Sequence, residues 1–133
     1  MNKYFLDTSI WIDYLNNDIN NRLKIDIQKY IMDNKIYFNG IVLAEIFSGC
    51  NNIKEREQIK YMFSGLNFID LQFDDYIKIG EYNLKLLNRG IKIPISDIII
   101  FYCAYKNKFY LITKDKHFKI LKKQINFNLM FID

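Results

Sequence analysis

The chain is poor in the residues that interrupt or cross-link a fold: one proline, five glycines and two cysteines in 133 residues. Cys50 and Cys103 stand far apart and form no CxxC pair or Cys/His cluster. That excludes a disulfide framework or a zinc site as an organising feature and fits a reducing, cytoplasmic setting. No Pro-, Gly- or Ser-rich linker, repeat or low-complexity tract divides the chain, so a single domain over residues 1–133 is expected. Long hydrophobic runs are also missing. The most apolar stretch, "IPISDIIIFYCAY", contains Asp97 and ends before Lys106. A bilayer span takes about 20 apolar residues, so this stretch reads as a buried helix and no membrane partner is expected. Asp7 interrupts the N-terminus before any signal-like run develops.

What is abundant points to a compact domain. Half the residues are hydrophobic and 17% are aromatic, mostly Tyr and Phe. A disordered chain is poor in these types. The net charge of +4 comes almost wholly from lysine, with three arginines beside it. That excess permits a polyanionic partner without requiring one.

Short apolar strands alternate with helical periodicity. Residues 3–7, "KIYFNG", "LNFIDL", "KFYLITKD" and "NLMFI" read as five strands. Leu23, Ile27, Tyr30 and Ile31 mark one face of a helix. Ile59, Met62 and Phe63 mark another, and Phe73, Ile77, Gly80, Leu84 and Leu87 form the expected buried stripe of a longer one, stopped at Gly90. Such alternation predicts an α/β fold with a mainly parallel five-stranded sheet covered on both faces.

In an open parallel sheet the functional crevice lies outside the carboxyl ends of the strands. Asp7 ends the first strand and Asp115 the fourth. Glu45 lies in the early turns of the helix leaving the second strand, and Asp97 begins the helix that precedes the fourth. Four acids from distant segments therefore converge on one rim. Two ionised carboxylates about 5 Å apart repel by about 3 kcal/mol at an effective dielectric of 20. A cluster of four calls for a cation among them, and oxygen donors suit Mg²⁺ or Mn²⁺. Ions so held are the equipment of phosphodiester hydrolysis. Each acid alone has a second explanation, since Asp7, Asp97 and Asp115 all suit helix N-termini. Their joint placement distinguishes them from the eleven other acids, which are expected on solvated helix faces, in loops or near strand ends. Asp70 and Asp13 are the nearest competitors, and Asp74 and Asp75 are assigned to the solvated group.

The stretches "FLDTSIWIDYL", "VLAEIFSG", "ISDIIIFYCAYKNK" and "LITKDKHFKIL", in this order and spacing, resemble the PIN domain. More narrowly, they resemble the VapC-like toxin ribonucleases of bacterial toxin–antitoxin pairs. The resemblance covers nearly the whole chain. It implies a three-layer α/β/α fold and a Mg²⁺- or Mn²⁺-dependent endoribonuclease with catalytic acids Asp7, Glu45, Asp97 and Asp115. Asp7, Asp97 and Asp115 would be the metal ligands, with Thr8, Ser9 and Thr113 in support. It also implies an RNA substrate cut to 5′-phosphate and 3′-hydroxyl ends, a small antitoxin and a homodimer. Where the family usually carries small alanines after its third acid, this chain has Ile99, Ile100, Phe101 and Tyr102.

Lys114 and Lys116 flank the rim and are candidate phosphate contacts, with a solvated helix face as the other reading. His117, the only histidine, is expected to pack or to order its turn, and Trp11, Tyr14, Phe47 and Tyr102 to pack in the core. The helix 97–106 is apolar nearly all round and must be covered beyond its sheet side, by neighbouring helices or by a second subunit. Two other functions compete with the ribonuclease. A non-catalytic RNA- or protein-binding module of the same fold would have no reason to keep four repelling acids. A phosphate-handling receiver domain would need an acidic pair after the first strand, where Asp7 stands alone.

Overall fold

The computed structural model describes residues 1–133. In chain order the elements are β1 (Tyr4–Leu6), α1 (Thr8–Leu15), α2 (Asn21–Met32), β2 (Ile36–Phe38), α3 (Gly40–Ser48) and α4 (Ile53–Ser64). They continue with β3 (Asn67–Phe68), α5 (Phe73–Asn88), α6 (Ile95–Asn107), β4 (Tyr110–Thr113), α7 (Lys116–Gln124) and β5 (Leu129–Phe131). All five strands are parallel, in the order β3-β2-β1-β4-β5. The chain moves outward from β1 to β3, then crosses back to β4 and β5. Right-handed crossovers put the helices of the two runs on opposite faces of the sheet, which is the three-layer α/β/α arrangement.

Helix starts follow local chemistry. Asn20, Asn39 and Asn52 each accept a hydrogen bond from the amide three residues on, at 2.8, 3.1 and 2.8 Å. Asp7 and Asp115 cap α1 and α7 in the same role. Such caps satisfy amides that the helix itself leaves without partners. Phe5, Leu6, Leu111 and Ile112 of the two central strands are wholly buried, and with Ile10, Trp11, Ile98, Ile100 and Phe118 they make the core. Trp11 packs against Phe63 and Tyr14 inside it.

Two expectations are corrected. The stripe Phe73, Ile77, Gly80, Leu84 and Leu87 of α5 faces outward, with Phe73 79% exposed and Leu84 59%. The buried side is Asp75, Ile79 and Leu86, so Asp75 is not a solvated acid. Its carboxylate accepts the Gln72 amide at 2.8 Å and the Lys106 ammonium at 2.6 Å, which joins α5 to α6. A buried carboxylate is tolerated when it is paired in this way. The second correction is smaller: the third strand shrinks from the predicted 66–71 to Asn67–Phe68. Helix α6 packs against α3, α5 and α7, so neighbouring helices cover most of its apolar surface. No helix is long and apolar enough to cross a membrane.

Candidate metal centre

Parallel pairing of β1 with β4 sets Leu6 opposite Ile112, and the next step of that register brings Asp7 beside Thr113. The Asp7 amide donates to the Ile112 carbonyl at 3.0 Å, which fixes the strand end. Sheet order reverses between these two strands, and at such a switch point a crevice opens at the carboxyl edge.

The Asp7 carboxylate is buried and densely bonded. Oδ1 accepts the Thr8 amide at 2.7 Å, and Oδ2 accepts the hydroxyls of Ser9 at 2.9 Å and Thr113 at 2.7 Å. Thr113 Oγ1 accepts the Asp115 amide at 3.0 Å in turn, so one hydroxyl ties the ends of both strands together. Thr8 Oγ1 donates to Glu45 Oε1 at 2.8 Å, linking the exposed Glu45 on α3 to the same rim. All three expected supporting hydroxyls therefore touch an acid.

Asp97 and Asp115 come together through α6 and α7. Asp97 stands in the first turn of α6 and Asp115 is the N-cap of α7, where it accepts the His117 amide at 2.9 Å. The His117 ring lies between them, its Nδ1 2.8 Å from Asp97 Oδ2 and 3.3 Å from Asp115 Oδ1. One donor atom from each of these three residues lies within 4.8 Å of the other two, a spacing that can hold a metal ion. Asp7 and Glu45 are outside this triad: Asp7 is engaged by its hydroxyls, and Glu45 reaches the rim through Thr8.

Electrostatics join Asp7 to the triad. Burial raises the Asp7 pKa, opposed by the bonds from Thr113, Ser9 and Thr8, and the nearby Asp115 charge raises it further. Burial likewise raises Asp97, the His117 hydrogen bond opposes it, and Asp115 and Asp7 both add to the rise. Asp7 and Asp97, both raised and both sensing the Asp115 charge, form with it a donor set that a divalent cation would relieve. The set, two carboxylates and one imidazole beside a third acid, fits such an ion chemically.

Sequence reasoning placed His117 in a turn-ordering role and did not count it in the site. The signal available was its position two residues after a capping aspartate, which brings the ring back over the cap. Asp13 and Asp70 stand apart from the triad. Asp13 pairs with Lys114 at 2.5 Å, and the exposed Asp70 accepts the amide of the buried Leu71. Lys114 is thus turned to Asp13, whereas Lys116 is exposed and its ammonium pairs with no acid.

A family model described as PIN domain matches residues 4–124. Among solved structures, VapBC2 from Rickettsia felis, bound to a promoter DNA fragment, includes a chain 26% identical to this one, with a TM-score of 0.78 and 98% of each chain covered. The DNA-bound VapBC of Salmonella typhimurium gives 19% identity and a TM-score of 0.72, covering 90% of this chain and 92% of that one. VapBC-1 from nontypeable Haemophilus influenzae gives 20% identity and 0.70, with 96% of each chain covered. No curated protein matches significantly. With the family model spanning nearly the whole fold and its acid-lined edge, the chain belongs to the PIN-domain family.

Proposed function

We propose that the chain is a metal-dependent endoribonuclease and the toxin of a VapBC-like toxin–antitoxin pair, acting in the cytoplasm. The observation that carries this reading is the meeting of Asp97 and Asp115 at ligand spacing beside the buried Asp7. Kinship with chains of VapBC complexes supports it.

Asp97 and Asp115 would hold the ion, with Asp7 completing the negative field around it. The chemistry that bound Mg²⁺ or Mn²⁺ supplies is activation of a water and neutralisation of charge on phosphoryl oxygens. The chain's own part is positioning. Ser9 and Thr113 fix the Asp7 carboxylate, Thr113 aligns the start of α7, and Thr8 holds Glu45 toward the rim, where it can take a proton from an attacking water. Lys116, exposed beside Asp115, meets an RNA phosphate.

Two apolar surfaces suit the protein partners. A groove of about 440 Å³ between α1, α3 and α4, in which Ile12, Ile46, Ile59 and Met62 stand beside Asn51, Glu55 and Gln58, takes an antitoxin segment. The outward stripe of α5 serves a homodimer contact, the commonest symmetric assembly.

Incubation of the purified protein with structured RNA tests the function. Cleavage with Mg²⁺ or Mn²⁺, none with chelator, and 5′-phosphate ends on the products are expected. RNA left intact, but bound, under every metal condition would favour the non-catalytic module instead.

A further inference from the structure

The acids of the rim are oxygen donors, but the donor nearest to Asp97 is a nitrogen. Resting on the nuclease reading above, we propose that His117 Nδ1 is a direct ligand of the catalytic ion, giving a mixed nitrogen–oxygen site that selects Mn²⁺ over Mg²⁺.

Geometry carries the argument. Adjacent ligands of a six-coordinate ion at about 2.1 Å lie about 3.0 Å apart. Nδ1 is 2.8 Å from Asp97 Oδ2 and 3.3 Å from Asp115 Oδ1, which brackets that spacing. Three donor atoms, one each from Asp97, Asp115 and His117, lie within 4.8 Å of one another, close enough for small side-chain adjustments to gather them on one ion. The ring is also aimed by its own chain. The His117 amide bonds the Asp115 carboxylate at 2.9 Å, fixing the first turn of α7 beneath the imidazole. Phe118, next in sequence, is wholly buried and anchors that turn in the core.

Coordination through Nδ1 requires the tautomer that carries its proton on Nε2. Exchange through solvent is open to a side chain 38% exposed. Without an ion, the tautomer protonated on Nδ1 would donate to Asp97 across the 2.8 Å contact, so the same ring would organise the site in both states. The consequence is selectivity. Mg²⁺ prefers an all-oxygen, partly hydrated shell, whereas Mn²⁺ stands above it in affinity for imidazole. The four acids expected from the sequence describe an oxygen site with no such bias.

Mn²⁺ itself is the probe. Electron spin-echo spectroscopy of the Mn²⁺-loaded protein should show nitrogen-14 modulation from a directly bound imidazole. That modulation should vanish in His117→Ala and persist in Lys116→Ala. Mn²⁺ affinity should fall about tenfold or more in His117→Ala, while Mg²⁺ affinity changes by less than about threefold. Circular dichroism of the variant checks the fold, and the wild-type spectrum stands without any variant. Mn²⁺ bound to wild type without nitrogen modulation would overturn the proposal and leave the nuclease reading intact, with His117 a hydrogen-bonding clamp. Equal loss of both ions in His117→Ala would do the same. Failure of wild type to bind either ion would overturn both.

Discussion

The Thr113 hydroxyl donates to Asp7 Oδ2 at 2.7 Å across the junction of β4 and β1, and the same oxygen accepts the Asp115 amide at 3.0 Å. A residue with no exposed surface thus sets the relative position of two acids that are 108 residues apart in sequence. Strand register creates the contact, since Asp7 and Thr113 are one step beyond Leu6 and Ile112, the last pair of the β1–β4 register.

Thr113→Val keeps the shape and removes the hydroxyl. It leaves the Asp7 carboxylate short of a donor and the Asp115 amide without its acceptor. Buried polar groups left without partners cost roughly 1–3 kcal/mol each. Urea unfolding should therefore show destabilisation in that range. A variant as stable as wild type would mean that water or a shifted side chain replaces the hydroxyl.

Asp75 gives the prediction on pH. The Lys106 ammonium, then the Gln72 amide, hold its carboxyl below the usual carboxylate range, and Asp75 in turn raises Lys106. A depressed folded pKa favours the folded state above the ordinary carboxylate pKa of about 3.9, and the benefit disappears as pH falls through the lower folded value. Asp75→Asn should lower the melting temperature near neutrality, with the gap to wild type closing as the acid limb is reached. A gap that stays constant with pH would show that the Asp75–Lys106 charge pair contributes nothing.

Most of the architecture was legible in the sequence because strand ends, caps and apolar periodicity agreed. Helix α5 was the exception. Its sequence carries two stripes at helical spacing. Phe73, Ile77, Gly80, Leu84 and Leu87 make the more apolar one, while Asp75, Ile79, Tyr82 and Leu86 make the one turned inward. Pattern alone favours the first. What reverses the choice is Lys106, a partner 31 residues away that neutralises Asp75. At the site, the acids at strand and helix ends could be read from position, because sheet topology brings those ends to one edge. For His117, position two residues after Asp115 gave its nearness to that acid but not to Asp97, which depends on how α6 and α7 meet.

The exposed stripe of α5 carries the prediction on assembly. Ile77→Glu should convert a concentration-dependent dimer into a monomer in light scattering while leaving the circular dichroism spectrum unchanged. Wild type that remains monomeric at tens of micromolar, with or without an antitoxin, would remove the dimer from the account.

Lys114 and Lys116 should part company in RNA binding. Lys114 is held by Asp13, whereas the exposed Lys116 ammonium is unpaired. Each phosphate contact to single-stranded RNA adds about 0.7 to the slope of log affinity against log salt. Lys116→Ala should reduce the slope by about that amount, and Lys114→Ala should change it little. Identical slopes in both variants would move the RNA path elsewhere on the rim.

In the proposed function Asp97, with Asp115 and Asp7, runs metal-dependent RNA cleavage. The direct measurement is the single-turnover cleavage rate of wild type, Asp97→Asn and Asp13→Asn across a Mn²⁺ titration. Wild type and Asp13→Asn should cleave with the same metal dependence, and Asp97→Asn should fall by about a hundredfold or more, in line with removal of one important catalytic group. Full activity in Asp97→Asn, or equal loss in both variants, would mean that Asp97 does not serve cleavage at this rim.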